Sequence, residues 1–163
     1  MLGAPPSRDV FERALRDAKP GIRAVAVRAF VAQYPEVAVP RLGPFLAGEK
    51  APEVRIAALE ALGSLRGNEE SLELIEGAFV GDPELEVRQV AGRVIFERGG
   101  EEAAASFARL AFAAAPEGQR HAVALLMALG RPADDPNLER IRETHPDAKV
   151  QEILRHGFSD PHH

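Results

Sequence analysis

Four arginines recur along the chain at nearly even intervals, Arg23, Arg55, Arg88 and Arg120, and Gln151 completes the series, with spacings of 32, 33, 32 and 31 residues. Six residues ahead of these anchors stand Asp17, Glu49 and Asp82 in the first three copies, then Ala114 and His145. A planar guanidinium beside a carboxylate suits bidentate ion pairing. The chemistry expected is therefore recognition and stitching rather than bond making. Other reactive groups are sparse. The chain has no cysteine, which removes thiolate metal sites, disulfides and thiol nucleophiles. Of the five histidines, His121 and His156 fall one and five positions after their anchors, where a metal would need carboxylate company for which Glu152 is nearest; His145, His162 and His163 lie elsewhere. His121 and His156 are expected to be ordinary surface histidines, and a metal at the terminal pair would be adventitious, so no metal or cofactor is assigned. The doublets Asp134-Asp135 and Glu69-Glu70 sit in turns ahead of helical patterns and are expected to cap helices and meet their positive dipole ends. No catalytic residue is assigned.

Such evenly spaced arginines need evenly spaced elements. The segments IRAVAVRAF, VRIAALEAL, VRQVAGRVI, QRHAVALLM and VQEILRHGF align in register. Positions two, three, six and seven after each anchor are apolar, for instance Val25, Ala26, Ala29 and Phe30, which is one stripe of an α-helix. Pro20, Pro52, Pro83 and Pro116 precede the anchors and mark helix starts, because a missing N–H costs nothing in a first turn. Between these helices lie further helical patterns at 7–18, 40–47, 70–80, 101–115 and 136–145, with glycine-bearing turns between. Pro35, Pro40 and Pro44 are expected to shorten or kink the helix around 35–46. Ten helices and no strand follow.

A helix pair of this size cannot bury its apolar face alone, so the pairs must stack. The expected fold is all-α, a right-handed α-solenoid of about five helix-turn-helix repeats, at 7–33, 36–66, 69–98, 101–130 and 135–158. These form one domain over 7–158, with flexible ends at 1–6 and 159–163. A core rich in Ala, Leu, Val and Ile suits this, since aromatics make up only 6% of the chain and Trp is absent. A net charge of −5 argues against a general affinity for nucleic acid. No apolar run reaches the roughly 18 residues of a membrane span. A cytoplasmic location is expected, as a monomer or homodimer.

With its Asp and Arg at this separation, and with PEVRIAALEALGSL following the pattern of a second helix almost throughout, the chain resembles the HEAT repeat family over roughly residues 8–158. Within the family it is similar to the short HEAT-like repeats first noted in phycobilisome bilin lyases. The resemblance implies an arginine ladder, Asp17, Arg23, Glu49, Arg55, Asp82, Arg88 and Arg120, that joins one repeat to the next. It also implies several possible roles: scaffold or adaptor, lyase-type subunit, hydroxylase, or nucleic-acid binder. The hydroxylases hold iron through His-Glu pairs, and no His-Glu dipeptide occurs here. Nucleic-acid binders of the family, the alkylpurine DNA glycosylases, rely on aromatic side chains, Trp among them, in a basic concave groove, whereas this chain has no Trp, one Tyr and a net negative charge.

Second helices line the concave side in that family, and positions one, four, five and eight after each anchor are expected to face it. These include Val27, Val31, Ile56, Leu59, Phe96 and Leu125, edged by Arg28, Glu60, Arg93 and Arg155. A greasy strip with charged margins is expected to bind a protein or peptide partner. The main expectation is a non-enzymatic scaffold. The alternatives are a bilin-lyase-like subunit and, less favoured, a nucleic-acid binder using the arginines.

Overall fold

The computed structural model describes residues 7–157. The ends expected to be flexible, with His162 and His163, lie outside them. Among the described residues there are ten helices and no strand, and all follow the helix-turn-helix alternation of an all-α repeat fold. The chain is organised as two compact units, Met1–Ile75 and Glu76–His163.

The first unit contains α1 (Arg8–Ala14), α2 (Pro20–Gln33), α3 (Pro35–Gly48) and α4 (Pro52–Gly63), and the start of α5 (Glu69–Gly81). Prolines open α2, α3 and α4 at their first positions, where the backbone has no N–H partner to lose. Between α4 and α5, the Asn68 side chain accepts the Ser71 backbone N–H at 2.8 Å. Around α2 the packing is closed by α1, α3 and α4. Phe11 stacks on Phe30 with ring centroids 5.6 Å apart, and Tyr34 meets both rings edge-on. With these aromatics, Leu42, Leu59 and Leu62 are buried, giving an aliphatic and aromatic core.

One expectation fails instructively in this unit. The helix expected to be shortened by prolines runs for 14 residues with Pro40 and Pro44 inside it. The two prolines are four residues apart and both exposed, so the bonds they remove all lie on the solvent side, where water can serve the freed carbonyls.

The second unit holds the rest of α5, then α6 (Leu85–Arg98), α7 (Gly100–Ala113), α8 (Pro116–Ala128), α9 (Pro136–Thr144) and α10 (Ala148–His156). Here α7 packs on α8, α8 on α6, and α10 on α8. Pro83 does not open α6 as expected: Glu84 is the N-cap and the helix begins at Leu85, so Pro83 belongs to the turn. Gly99, at a φ of +66° that side-chain-bearing residues avoid, ends α6 and leads into α7. The acidic cap foreseen at Asp135 is present. Its Oδ1 accepts the Asn137 N–H at 2.9 Å, and its Oδ2 accepts Arg131 Nε at 2.8 Å. No helix among the described residues is long and apolar enough to cross a membrane.

Candidate functional site

The arginine anchors stand in the first turn of the second helices, and the acids sit in the turn just before those helices. Arg23 shows the complete rung. Its Nη1 donates to the carbonyls of Asp17 (2.8 Å) and Ala18 (3.2 Å), while Nε and Nη2 hold the two Glu49 oxygens at 2.8 and 2.9 Å. One face of the guanidinium thus closes its own turn and the other grips the carboxylate of the next repeat. Burial alone would raise the Glu49 pKa. The Arg23 bonds and the Ala51 backbone N–H outweigh it and leave Glu49 below the usual carboxylate range.

The carbonyl contact recurs in every copy. Arg55 Nη1 reaches Glu49 O at 3.0 Å, and Arg88 Nη1 reaches Asp82 O at 2.7 Å. In the fourth copy Gln119, not Arg120, takes Ala114 O at 2.9 Å, and in the fifth Gln151 takes His145 O at 3.0 Å. Each acid has a local task too: Asp17, Glu49 and Asp82 accept the backbone N–H two residues on, at 2.8, 3.0 and 2.9 Å.

The loss of the acid expected in the fifth copy is only apparent, because its two tasks are divided. Buried His145 accepts the Asp147 N–H on Nδ1 at 3.1 Å, which places the ring proton on Nε2, donated to Ala111 O. Asp147 takes Arg120, with Nη2 to Oδ2 at 2.9 Å. That hydrogen bond, with the Val150 N–H, pushes the Asp147 pKa down to about 2. Sequence reasoning missed Asp147 because it sought the acid at a fixed distance. The available signal was its N-cap position, where it accepts the N–H groups of Lys149 and Val150.

Two rungs are open. Among the described residues the Asp17 carboxylate accepts the turn N–H of Lys19 and hydrogen-bonds no arginine, although its counterparts Glu49 and Asp147 each hold an arginine of the preceding copy. Beside Asp17 on α2, Ile22 and Val25 are 41% and 64% exposed. Val25 was expected in the core stripe, and this corrects it. In later copies these positions are more enclosed: Val54 and Ala57 are buried where α4 packs on α2, Ala122 where α8 packs on α6, and Val150 where α10 packs on α8, while Val90, Gln119 and Ile153 are half-buried. No described helix covers them in the first copy. The second open rung is Arg88. Among the described residues no carboxylate pairs with it, because its partner position is Ala114.

The strip expected to face a partner needs correction. Val27 and Leu59 are fully buried and Val31 nearly so, which makes them core. Position four lies next to position seven around a helix, so a packed arc slightly wider than expected takes in both it and position eight. Ile56, Phe96 and Leu125 are half-buried, while Arg28, Glu60, Arg93 and Arg155 are exposed. Arg93 is bonded to Glu97 at 3.0 Å. Leu125 rests on α6, where a Cβ at Gly92 would come within 3.1 Å of it.

Each unit also has a cleft. In the first unit a cleft of about 440 Å³ is lined by Arg16, Asp17, Arg23, Arg41, Glu49 and Lys50 among others. Its cations are partly neutralised, since Arg23 holds Glu49 and Arg41 holds Glu12 at 3.0 Å. The second unit has a cleft of about 160 Å³ lined by Phe79, Leu85, Arg88, Gln89, Glu117, Gly118 and His121. His121 meets the Phe79 ring edge-on at 5.7 Å; its side chain stays exposed, and partial desolvation lowers the imidazole pKa. His121 therefore belongs to this cleft, and no group of three His, Asp or Glu among the described residues is placed to hold a metal ion.

No curated protein and no solved structure matches the chain significantly. The family model for HEAT repeats matches residues 7–95, more than half of the sequence. The match starts at α1 and ends within α6, spanning the copies in which acid and arginine keep their fixed spacing. The helix-turn-helix repeat is thus that of the HEAT repeats, and the chain belongs to that family.

Proposed function

We propose that the protein is a non-enzymatic HEAT-repeat scaffold that binds a partner protein by taking one of its helices against the open side of α2. The observation that carries this is Ile22 and Val25: exposed here, and covered by a neighbouring helix at the same positions of later copies. Family membership supports it, since HEAT repeats commonly serve as protein-interaction scaffolds. The chemistry of the occupant follows from the rung beside the stripe. Glu49 and Asp147 each hold an arginine delivered by the second helix of the preceding copy, so the partner helix should be amphipathic and carry an arginine for Asp17.

Arg28, exposed and one turn from Val25, borders the stripe and favours an acidic residue on the helix margin. Ile56 and Glu60 in the first unit, and Arg93, Phe96, Leu125 and Arg155 in the second, stay as secondary partner contacts. The spacing of 31 to 33 residues between anchors favours kinship with the bilin-lyase type of short repeat, as structural descent rather than as an activity.

A benzophenone amino acid placed at position 25 in native cells tests this. The expected product is a cross-link to a helix of another protein. Purified, that protein should lose affinity about tenfold for each of Val25→Glu and Asp17→Asn, with melting temperatures unchanged. A cross-link only within the chain itself, or affinity indifferent to both substitutions, overturns the reading.

A further inference from the structure

The Arg88 cleft has a vacancy of defined chemistry. Arg23 and Arg88 use the same Nη1 on the carbonyl six residues back, at 2.8 and 2.7 Å. In Arg23 the remaining Nε and Nη2 hold a carboxylate; in Arg88 no described residue accepts from them. Glu49 and Ala114 hold equivalent places, each the residue just after its first helix, α3 or α7. Replacing the acid by alanine therefore removes the cis partner and leaves a guanidinium edge facing space. That space is the cleft itself. Arg88 lines it, and Ala114 borders it, since a Cβ on lining residue Gly118 would lie 2.8 Å from the Ala114 Cβ.

The other walls indicate what accompanies the carboxylate. Phe79 and His121 form an aromatic side, and Leu85, 57% exposed at the start of α6, forms an apolar shelf beside the arginine. We propose that this cleft binds an acidic side chain, Asp or Glu, of a partner protein's segment, in the place of the missing ladder carboxylate, with an adjoining apolar side chain on the Leu85 and Phe79 shelf. A carboxylate there completes a bidentate pair that two other rungs already display. Glu117 lines the same cleft and opposes any anion, so it weakens free small acids and makes the apolar contact count. This site lies in the second unit and does not depend on the α2 stripe.

The test uses the full chain and two blocked dipeptides, acetyl-Leu-Glu-amide and acetyl-Leu-Gln-amide, read by the arginine Nε–Hε and histidine ring resonances in NMR titrations. The Glu peptide should move the Arg88 and His121 signals saturably, about tenfold more tightly than the Gln peptide. Arg88→Gln should abolish the response while keeping the fold, because Gln151 makes the same carbonyl bond in the fifth copy. Ala114→Glu, which restores the rung, should abolish it too and raise the melting temperature; if that variant folds poorly, Arg88→Gln carries the test. Glu117→Gln should tighten binding. Equal responses to the two peptides, or a response that survives Arg88→Gln, overturns the assignment. A tighter response to acetyl-leucine, whose carboxylate is a chain end, overturns the choice of a side-chain acid. Failure here leaves the cross-link at Val25 untouched, and the converse holds.

Discussion

Val25 and Ala57 occupy the same position two residues after their anchors, yet one is 64% exposed and the other fully buried, so one substitution at both should give opposite outcomes. Glutamate at position 57 must enter the packed contact between α2 and α4 without a partner. Burying an unpaired carboxylate, with the overpacking of about four added heavy atoms, should cost at least ~3 kcal/mol. For a chain of this length that corresponds to a fall in melting temperature of roughly 6–12 °C. Glutamate at 25 meets water, exchanges a β-branched residue for a better helix former, and should alter stability by no more than about 0.5 kcal/mol. Urea unfolding followed by circular dichroism reads both, with equal slopes showing that each variant unfolds from the same native state. A Val25→Glu cost close to that of Ala57→Glu would mean that something covers α2, and the open-edge reasoning would be refuted. A harmless Ala57→Glu would refute the packing of α4 on α2 that gives the comparison its meaning.

Other expectations follow from single contacts. Leu59→Ala should lose about 3–4 kcal/mol in urea titrations, as a fully buried leucine does, whereas Arg28→Ala on the exposed side of α2 should lose less than about 0.5 kcal/mol. Asp147 has a folded pKa of about 2 against an ordinary 3.8, so its ionised form is the stabilising one. Its contribution should be fully present above pH 3.8 and lost as the pH falls toward 2; the gap in urea midpoint between wild type and Asp147→Asn should close over that window. Gly118→Ala should lower the melting temperature despite alanine's better helix propensity, because the new Cβ would meet the Ala114 Cβ at 2.8 Å.

The repeat was readable in the sequence because helical periodicity and arginine spacing are local signals, and α4 starts at Pro52 as its proline indicates. The ladder was readable in part: the arginines were expected to bridge carboxylates or turn carbonyls of their own and the neighbouring repeat, but not which ones, the Asp17 carbonyl and, one copy forward, the Glu49 carboxylate for Arg23. Partner choice across a stack depends on which copy stands behind, and spacing along the chain does not contain that. Burial was misjudged for the same reason. Val25 and Ala57 share a position in the pattern, and only the presence or absence of a neighbouring helix separates them. Pro40 and Pro44 looked disruptive because the side of α3 they occupy is set by packing rather than composition.

The division of labour between His145 and Asp147 bears on how such proteins diverge. In the second copy the single acid Glu49 performs two jobs, accepting a turn N–H and holding an arginine; in the fifth copy two residues share them. Once split, the jobs are free to drift independently, so the pairing outlives the letters that encode it. Comparison by residue identity loses track of such a repeat while its hydrogen bonds persist. Terminal copies of helical arrays are better counted by what caps each turn carbonyl than by what amino acid does so.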